Sequence, residues 1–121
     1  MRRIWLIIDV LVVLLFVGIG RTAHHHAMTL SGMVSTAWPF VVGLAIGWAC
    51  VELGRRDAST LASGAAIWLC TVGAGMMLRV WAGQGTAFPF ILVALGFLGA
   101  LMLGLRYVAA HIPHRGSVTS R

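Results

Sequence analysis

The sequence predicts an all-α integral membrane protein of four transmembrane helices, arranged as two tandem parallel helical hairpins. Three observations lead there. The 121 residues are 60% hydrophobic and only 10% charged, with a mean hydropathy of +0.94. A soluble domain this small leaves too much of its surface in water to hide that apolar content. The apolar residues fall in four runs, each close to the roughly 20 residues a helix needs to cross the hydrocarbon. The nine cations are all Arg and stand one or two at a time at run ends, where lipid headgroups lie. This placement also argues against a nucleic-acid partner, because it makes no basic stripe.

The first span covers residues 4–20 and contains Asp9. A cleaved signal peptide is the rival reading, but Asp9 interrupts the apolar stretch and no small-x-small site follows Gly20. The second span covers 37–53, with Thr36 as N-cap, Pro39 in the first turn and Gly54 as terminator. The third covers 58–82, capped by Asp57 and closed by the turn Gly83-Gln84-Gly85. The fourth covers 87–110, with Thr86 as cap, Pro89 in the first turn and Pro113 as stop. Residues 1–111 thus form one transmembrane domain, and 112–121 a short polar tail.

Counting arginines sets the orientation. Arg2, Arg3, Arg55, Arg56, Arg106, Arg115 and Arg121 share one side; Arg21 and Arg79 share the other. The positive-inside rule places the first side, with both termini, in the cytoplasm of a cell-membrane protein. Trp5 and Tyr107 are then expected at the inner interface, and Trp38 and Trp81 at the outer one.

The stretch Thr36-Ala37-Trp38-Pro39-Phe40 reads like Thr86-Ala87-Phe88-Pro89-Phe90, at an offset of 50. The shared prolines suggest a helix-start signature in two hairpin repeats, 4–54 and 57–110. Each hairpin crosses twice, so a parallel repeat follows, related by an axis along the membrane normal. The halves differ in their outer loops, with 21–35 the longer and the more suited to a specific function.

Few residues could carry chemistry. Asp9 is an intramembrane carboxylate, which suits either a proton or cation site or a structural ion pair, with Arg106 the nearest candidate partner in depth. Arg21, Arg79 and His24 approach the outer face beside the starts of helices two and four, where an anion would be favoured; plain snorkelling is the alternative. The run His24-His25-His26 lacks the spacing and the acid of a metal shell, so no metal is expected. Gly43-x-x-x-Gly47 and Gly96-x-x-x-Ala100-x-x-x-Gly104 are helix-packing stripes. Cys50 and Cys70 read as reduced packing residues. No nucleophile–base pair, phosphate loop or paired carboxylates are present, so neither an enzyme nor a cofactor is expected.

Four stretches carry a family resemblance. They are Asp9 with Phe16 and Gly20-Arg21-x-x-His24; Ala37-Trp38-Pro39-Phe40 with Gly43; Arg79; and Phe90 with Val93-Ala94, ending at Gly104-Leu105-Arg106. In this order they resemble the family named domain of unknown function 3054, small multi-pass membrane proteins found chiefly in actinobacteria and haloarchaea. The chain departs from that pattern at Leu105, where the family has Trp, and at His25 and His26, where it has acidic residues. The resemblance implies an address and an architecture but no activity. Two functions stay open: a small transporter or channel-like subunit, built as a homo-oligomer, with Asp9 and Arg21 as working residues, and a non-catalytic accessory or scaffold packed against particular lipids or a larger membrane complex.

Overall fold

The computed structural model describes residues 2–23, 29–84 and 88–112. They form four helices: α1 (Arg2–Ala23), α2 (Leu30–Leu53), α3 (Leu61–Trp81) and α4 (Phe88–His111). All four are long and apolar enough to cross a membrane. At 1.5 Å per residue each is about 30–36 Å long, the thickness of the hydrocarbon core. His24, Gly85, Thr86 and residues 113–121, with Pro113, Arg115 and Arg121 among them, lie outside the described residues.

Among the described residues the helices close a ring, α1 on α2, α2 on α3, α3 on α4 and α4 on α1, with the Phe40 and Phe90 rings of α2 and α4 meeting across its centre. Short connections between helices of full span length make neighbours antiparallel. One end of the bundle therefore holds the start of α1, the end of α2, the start of α3 and the end of α4. This is the Asp9 end; the other is the Arg21 end. Val12, Val13, Phe16 and Val17 turn inward from α1, while Ile4, Ile7, Leu11, Leu15 and Ile19 face outward onto lipid. Phe16, Phe40, Phe90 and Phe97 form the aromatic centre, with ring centroids 5.5–6.0 Å apart.

The closest pair is α2 and α3, and glycine is the cause. A Cβ on Gly43 would lie 2.8 Å from the carbonyl oxygens of Cys70 and Thr71, and one on Gly47 would lie 2.9 Å from the Ile67 Cα. Only hydrogen fits there, so the backbones touch. The second expected stripe behaves differently. Gly96 and Gly104 meet nothing within 4 Å, and it is Gly99 that receives the Trp68 ring.

The helix ends correct several expectations. The N-cap of α2 is Thr29, whose hydroxyl accepts from the Gly32 N–H at 3.1 Å; Thr36 lies inside the helix. Pro39 is thus an interior proline in the third turn, not part of a helix start, whereas Pro89 does sit in the first turn of α4. Pro39 is the tenth residue of α2 and Pro89 the second of α4, so the two do not share a helix-start position. The long outer loop expected over 21–35 is mostly helix, because α1 runs to Ala23 and α2 begins at Leu30. In the second hairpin α3 ends at Trp81 and α4 begins at Phe88.

The cap of α3 is Thr60, accepting from the Ser63 N–H at 3.1 Å. Asp57 instead organises the approach, taking the Ser59 N–H at 2.9 Å and the Ser59 hydroxyl at 2.7 Å. Both α2 and α3 close with the same backbone motif. Arg55 N–H donates to the Glu52 carbonyl and Arg56 N–H to that of Val51; Gly83 and Gln84 repeat this on Val80 and Arg79. The motif needs a left-handed residue. In α3 this is Gly83 (φ 77°), but in α2 it is Arg55 (φ 55°), one residue past the expected Gly54.

Candidate functional site: a buried carboxylate–guanidinium pair

Asp9 occupies the inward face of α1 in its third turn, between Trp5 and Val12–Val13. It is fully buried, as is Arg106 in the last part of α4. The two side chains meet in a two-pronged pair. The Arg106 Nη1 donates to Asp9 Oδ1 at 2.9 Å and Nη2 donates to Oδ2 at 2.8 Å. Parallel N–H···O bonds of this kind are the strongest form a carboxylate–guanidinium contact takes.

Neighbouring elements take up much of the remaining polar capacity. Trp48 of α2 donates its indole N–H to Asp9 Oδ2 at 2.9 Å. The Arg106 Nε donates to the Ala58 carbonyl at 2.8 Å, in the turn before α3, and Nη1 also reaches the Met102 carbonyl at 3.3 Å. The guanidinium lies 4.8 Å from the centroid of the Trp5 ring, a cation–π contact. Trp5 is consequently buried within the bundle, whereas Tyr107 is exposed. Gly64 makes room for the Arg106 stem, since a Cβ there would lie 2.5 Å from the Arg106 Cδ. All four segments of the ring therefore converge on one ion pair.

The Arg21 end is built otherwise. The Arg21 Nη1 donates to the Thr36 hydroxyl at 3.0 Å. Arg79 Nη1 donates to the Gln84 Oε1 at 3.0 Å, and its guanidinium lies 4.6 Å from the Phe90 ring centroid. Gln84 in turn donates its amide N–H to the Ser35 carbonyl at 3.0 Å. That carbonyl is four residues before Pro39, which has no N–H to give it. The interior proline thus frees an acceptor, and the α3–α4 turn fills it. The arginines reach adjacent residues of α2 by these routes, Arg21 directly and Arg79 through Gln84. His24 lies outside the described residues.

Sequence reasoning had no hold on Trp48, Trp5, Ala58 and Gly64, which complete the pair. Nor did it foresee Gln84 and Ser35. Trp48 and Gly64 show no polar pattern of their own. The Ser35–Gln84 link could have been found by asking what satisfies the carbonyl that an interior proline leaves open.

No curated protein and no solved structure matches the chain. A family model described as a protein of unknown function, DUF3054, matches residues 6–109, a span that begins just before Asp9 and ends just after Arg106. With four apolar spanning helices and that match, the chain is a multi-pass membrane protein and belongs to the DUF3054 family.

Proposed function

We propose that this protein is a non-catalytic scaffold or accessory subunit of the membrane, in which Asp9 and Arg106 serve as a structural clamp. One observation carries this reading. Both Asp9 oxygens are engaged, by Arg106 and Trp48, at complete burial. A carboxylate that handles protons or cations during transport needs a face open to its cargo, whereas this one is directed wholly at protein. A buried pair of this kind holds helices in register.

The test is flux. Wild-type protein and Asp9→Asn, each reconstituted in liposomes with an imposed pH gradient, are expected to give the proton leak of empty liposomes. Proton-coupled flux in the wild type, abolished in a folded Asp9→Asn variant, would establish the transporter reading instead.

The proposed orientation puts both termini in the cytoplasm. It rests on the seven arginines at one end against two at the other. Reporter fusions at Thr29 and Gly83 should read outside, and fusions at Arg56 and Ser117 inside. An outside signal at Arg56 would invert the molecule.

A second reading concerns the Arg21 end and is favoured by one arrangement: Arg21 and the Arg79–Gln84 unit meet α2 at the adjacent residues Thr36 and Ser35. Two cations focused on one patch suit an anionic lipid headgroup or solute. Arg21→Ala and Arg79→Ala should each reduce retention of phosphatidylglycerol on the purified protein. Retention unchanged in both would remove this site.

A further inference from the structure

The first turns of α2 differ from the rest of that helix. From Ala37 onward every turn buries at least one residue, but none of residues 30–36 is buried, and Met33 is half-buried against the core. Pro39 lacks the N–H that would take the Ser35 carbonyl, so backbone bonding thins just where packing begins. A segment with few buried contacts opens more easily than the core it joins. Two other elements hold this one in place. Gln84, in the α3–α4 turn, fills the Ser35 carbonyl at 3.0 Å. Arg21, near the end of α1, donates Nη1 to the Thr36 hydroxyl at 3.0 Å, and a Cβ on Gly32 would overlap its Nη2. Both terminal nitrogens of Arg21 therefore face residues 30–36.

We propose that residues 30–36 are an arm, hinged at Pro39, that gates the anion site at Arg21 and Arg79, a role that rests on the anionic-ligand reading above. In the closed form the arm occupies both terminal nitrogens of Arg21, so an oxyanion does not gain a two-pronged grip on them. Opening moves Gly32 and Thr36 away and offers that grip to a phosphate. A charged oxygen is a stronger acceptor for a guanidinium than a neutral hydroxyl is. A phosphate that binds the open form better shifts the arm toward it. Arg79 acts on the second latch. It donates to the Gln84 Oε1, and the Gln84 amide donates to the Ser35 carbonyl. A phosphate that draws Arg79 off Gln84 therefore loosens the contact with Ser35.

The full chain is reconstituted in nanodiscs of phosphatidylcholine alone, of phosphatidylcholine with phosphatidylglycerol, or of phosphatidylcholine with inorganic phosphate in the buffer. Amide hydrogen exchange is followed along α2 by mass spectrometry. Removing one latch, by Thr36→Val or Gln84→Ala, should speed exchange over residues 31–38 by about fivefold, the equilibrium factor of one hydrogen bond, and leave residues 41–51 unchanged. Both variants should also retain phosphatidylglycerol more tightly, because opening and anion binding are linked. In the wild type the anion should speed exchange of the arm, and Arg21→Ala should abolish that response. A response to phosphatidylglycerol supports the gate with a lipid headgroup as ligand; a response to inorganic phosphate supports it with a solute. Exchange unchanged in both latch variants, or raised along the whole of α2, would overturn the hinge. An anion that slows the arm, or leaves it unchanged while Arg21→Ala still lowers retention, would overturn the gate and leave the site standing. Retention unchanged in both Arg21→Ala and Arg79→Ala would remove the site, and the gate with it.

Discussion

Arg106 at one end of the bundle and Arg21 and Arg79 at the other are the same chemical group placed at different depths. Arg106 is fully buried and meets a carboxylate, an indole ring and two carbonyls. Arg21 and Arg79 are half-buried, and their described contacts are a hydroxyl, a side-chain amide, a turn carbonyl and the Phe90 ring. The chain has three acidic residues, Asp9, Glu52 and Asp57, and all three belong to the Asp9 end. An arginine that cannot reach the headgroups must carry its counter-charge within the fold, because an isolated buried ion is far too costly. One that lies near a helix end can rely on neutral acceptors and its surroundings. Depth, more than residue type, decides which arginine is given a buried carboxylate.

The largest test of this contrast removes one partner at each end. Arg106→Leu leaves the Asp9 carboxylate buried without its cation and should lower stability by about 3–5 kcal/mol, measured by reversible unfolding in mixed micelles. Arg21→Leu should cost less, about 1 kcal/mol, on the scale of a part-exposed hydrogen bond such as the one to Thr36. Equal losses at the two ends would break the contrast.

Gly64→Ala comes next. Its Cβ would lie 2.5 Å from the Arg106 Cδ, forcing the guanidinium stem to shift at a cost of about 1–3 kcal/mol. The same substitution at Gly96, which meets nothing within 4 Å, should be neutral or slightly stabilising, since alanine suits a helix better than glycine.

The Pro39 link predicts a smaller, conditional effect. Gln84→Ala should cost about 1 kcal/mol by leaving the Ser35 carbonyl without its donor. In a Pro39→Ala background the restored N–H of residue 39 can take that carbonyl, and the cost of Gln84→Ala should largely vanish. A cost that persists in the Pro39→Ala background would mean that Gln84 acts through Arg79 alone.

The smallest effect is a pH dependence. The Ser59 N–H, and then its hydroxyl, hold the Asp57 carboxyl below its ordinary range. The native state thus favours the ionised form more than the unfolded chain does. Its contribution is complete above the unfolded value, near pH 4, and is lost as pH falls through the lower native value. Asp57→Ala should flatten the acid limb of the stability profile slightly and leave neutral pH behaviour otherwise similar.

Hydropathy and arginine placement made the four spans legible, because a bilayer constrains length and apolar content strongly. The start of α2 was misread for a physical reason. Thr36 followed by Pro39 looks like a capped first turn, yet the stretch from Leu30 is helical and an interior proline is tolerated when another group fills the freed carbonyl. Asp9 could be singled out because a lone carboxylate in an apolar run is conspicuous. Arg106 could be matched to it only by depth. Trp48, Ala58 and Gly64 were invisible, since an indole, a backbone carbonyl and a missing Cβ acquire their roles only once four helices close around one point.

The measurement that bears most directly on the structural clamp is a double-mutant cycle on Asp9→Leu and Arg106→Met, read by unfolding in the same micelles. If the pair is a clamp, each single variant loses about 3–5 kcal/mol, and the double variant recovers most of that loss because no unpaired charge remains. Losses that simply add in the double variant would show that Asp9 and Arg106 act independently, and would contradict the clamp.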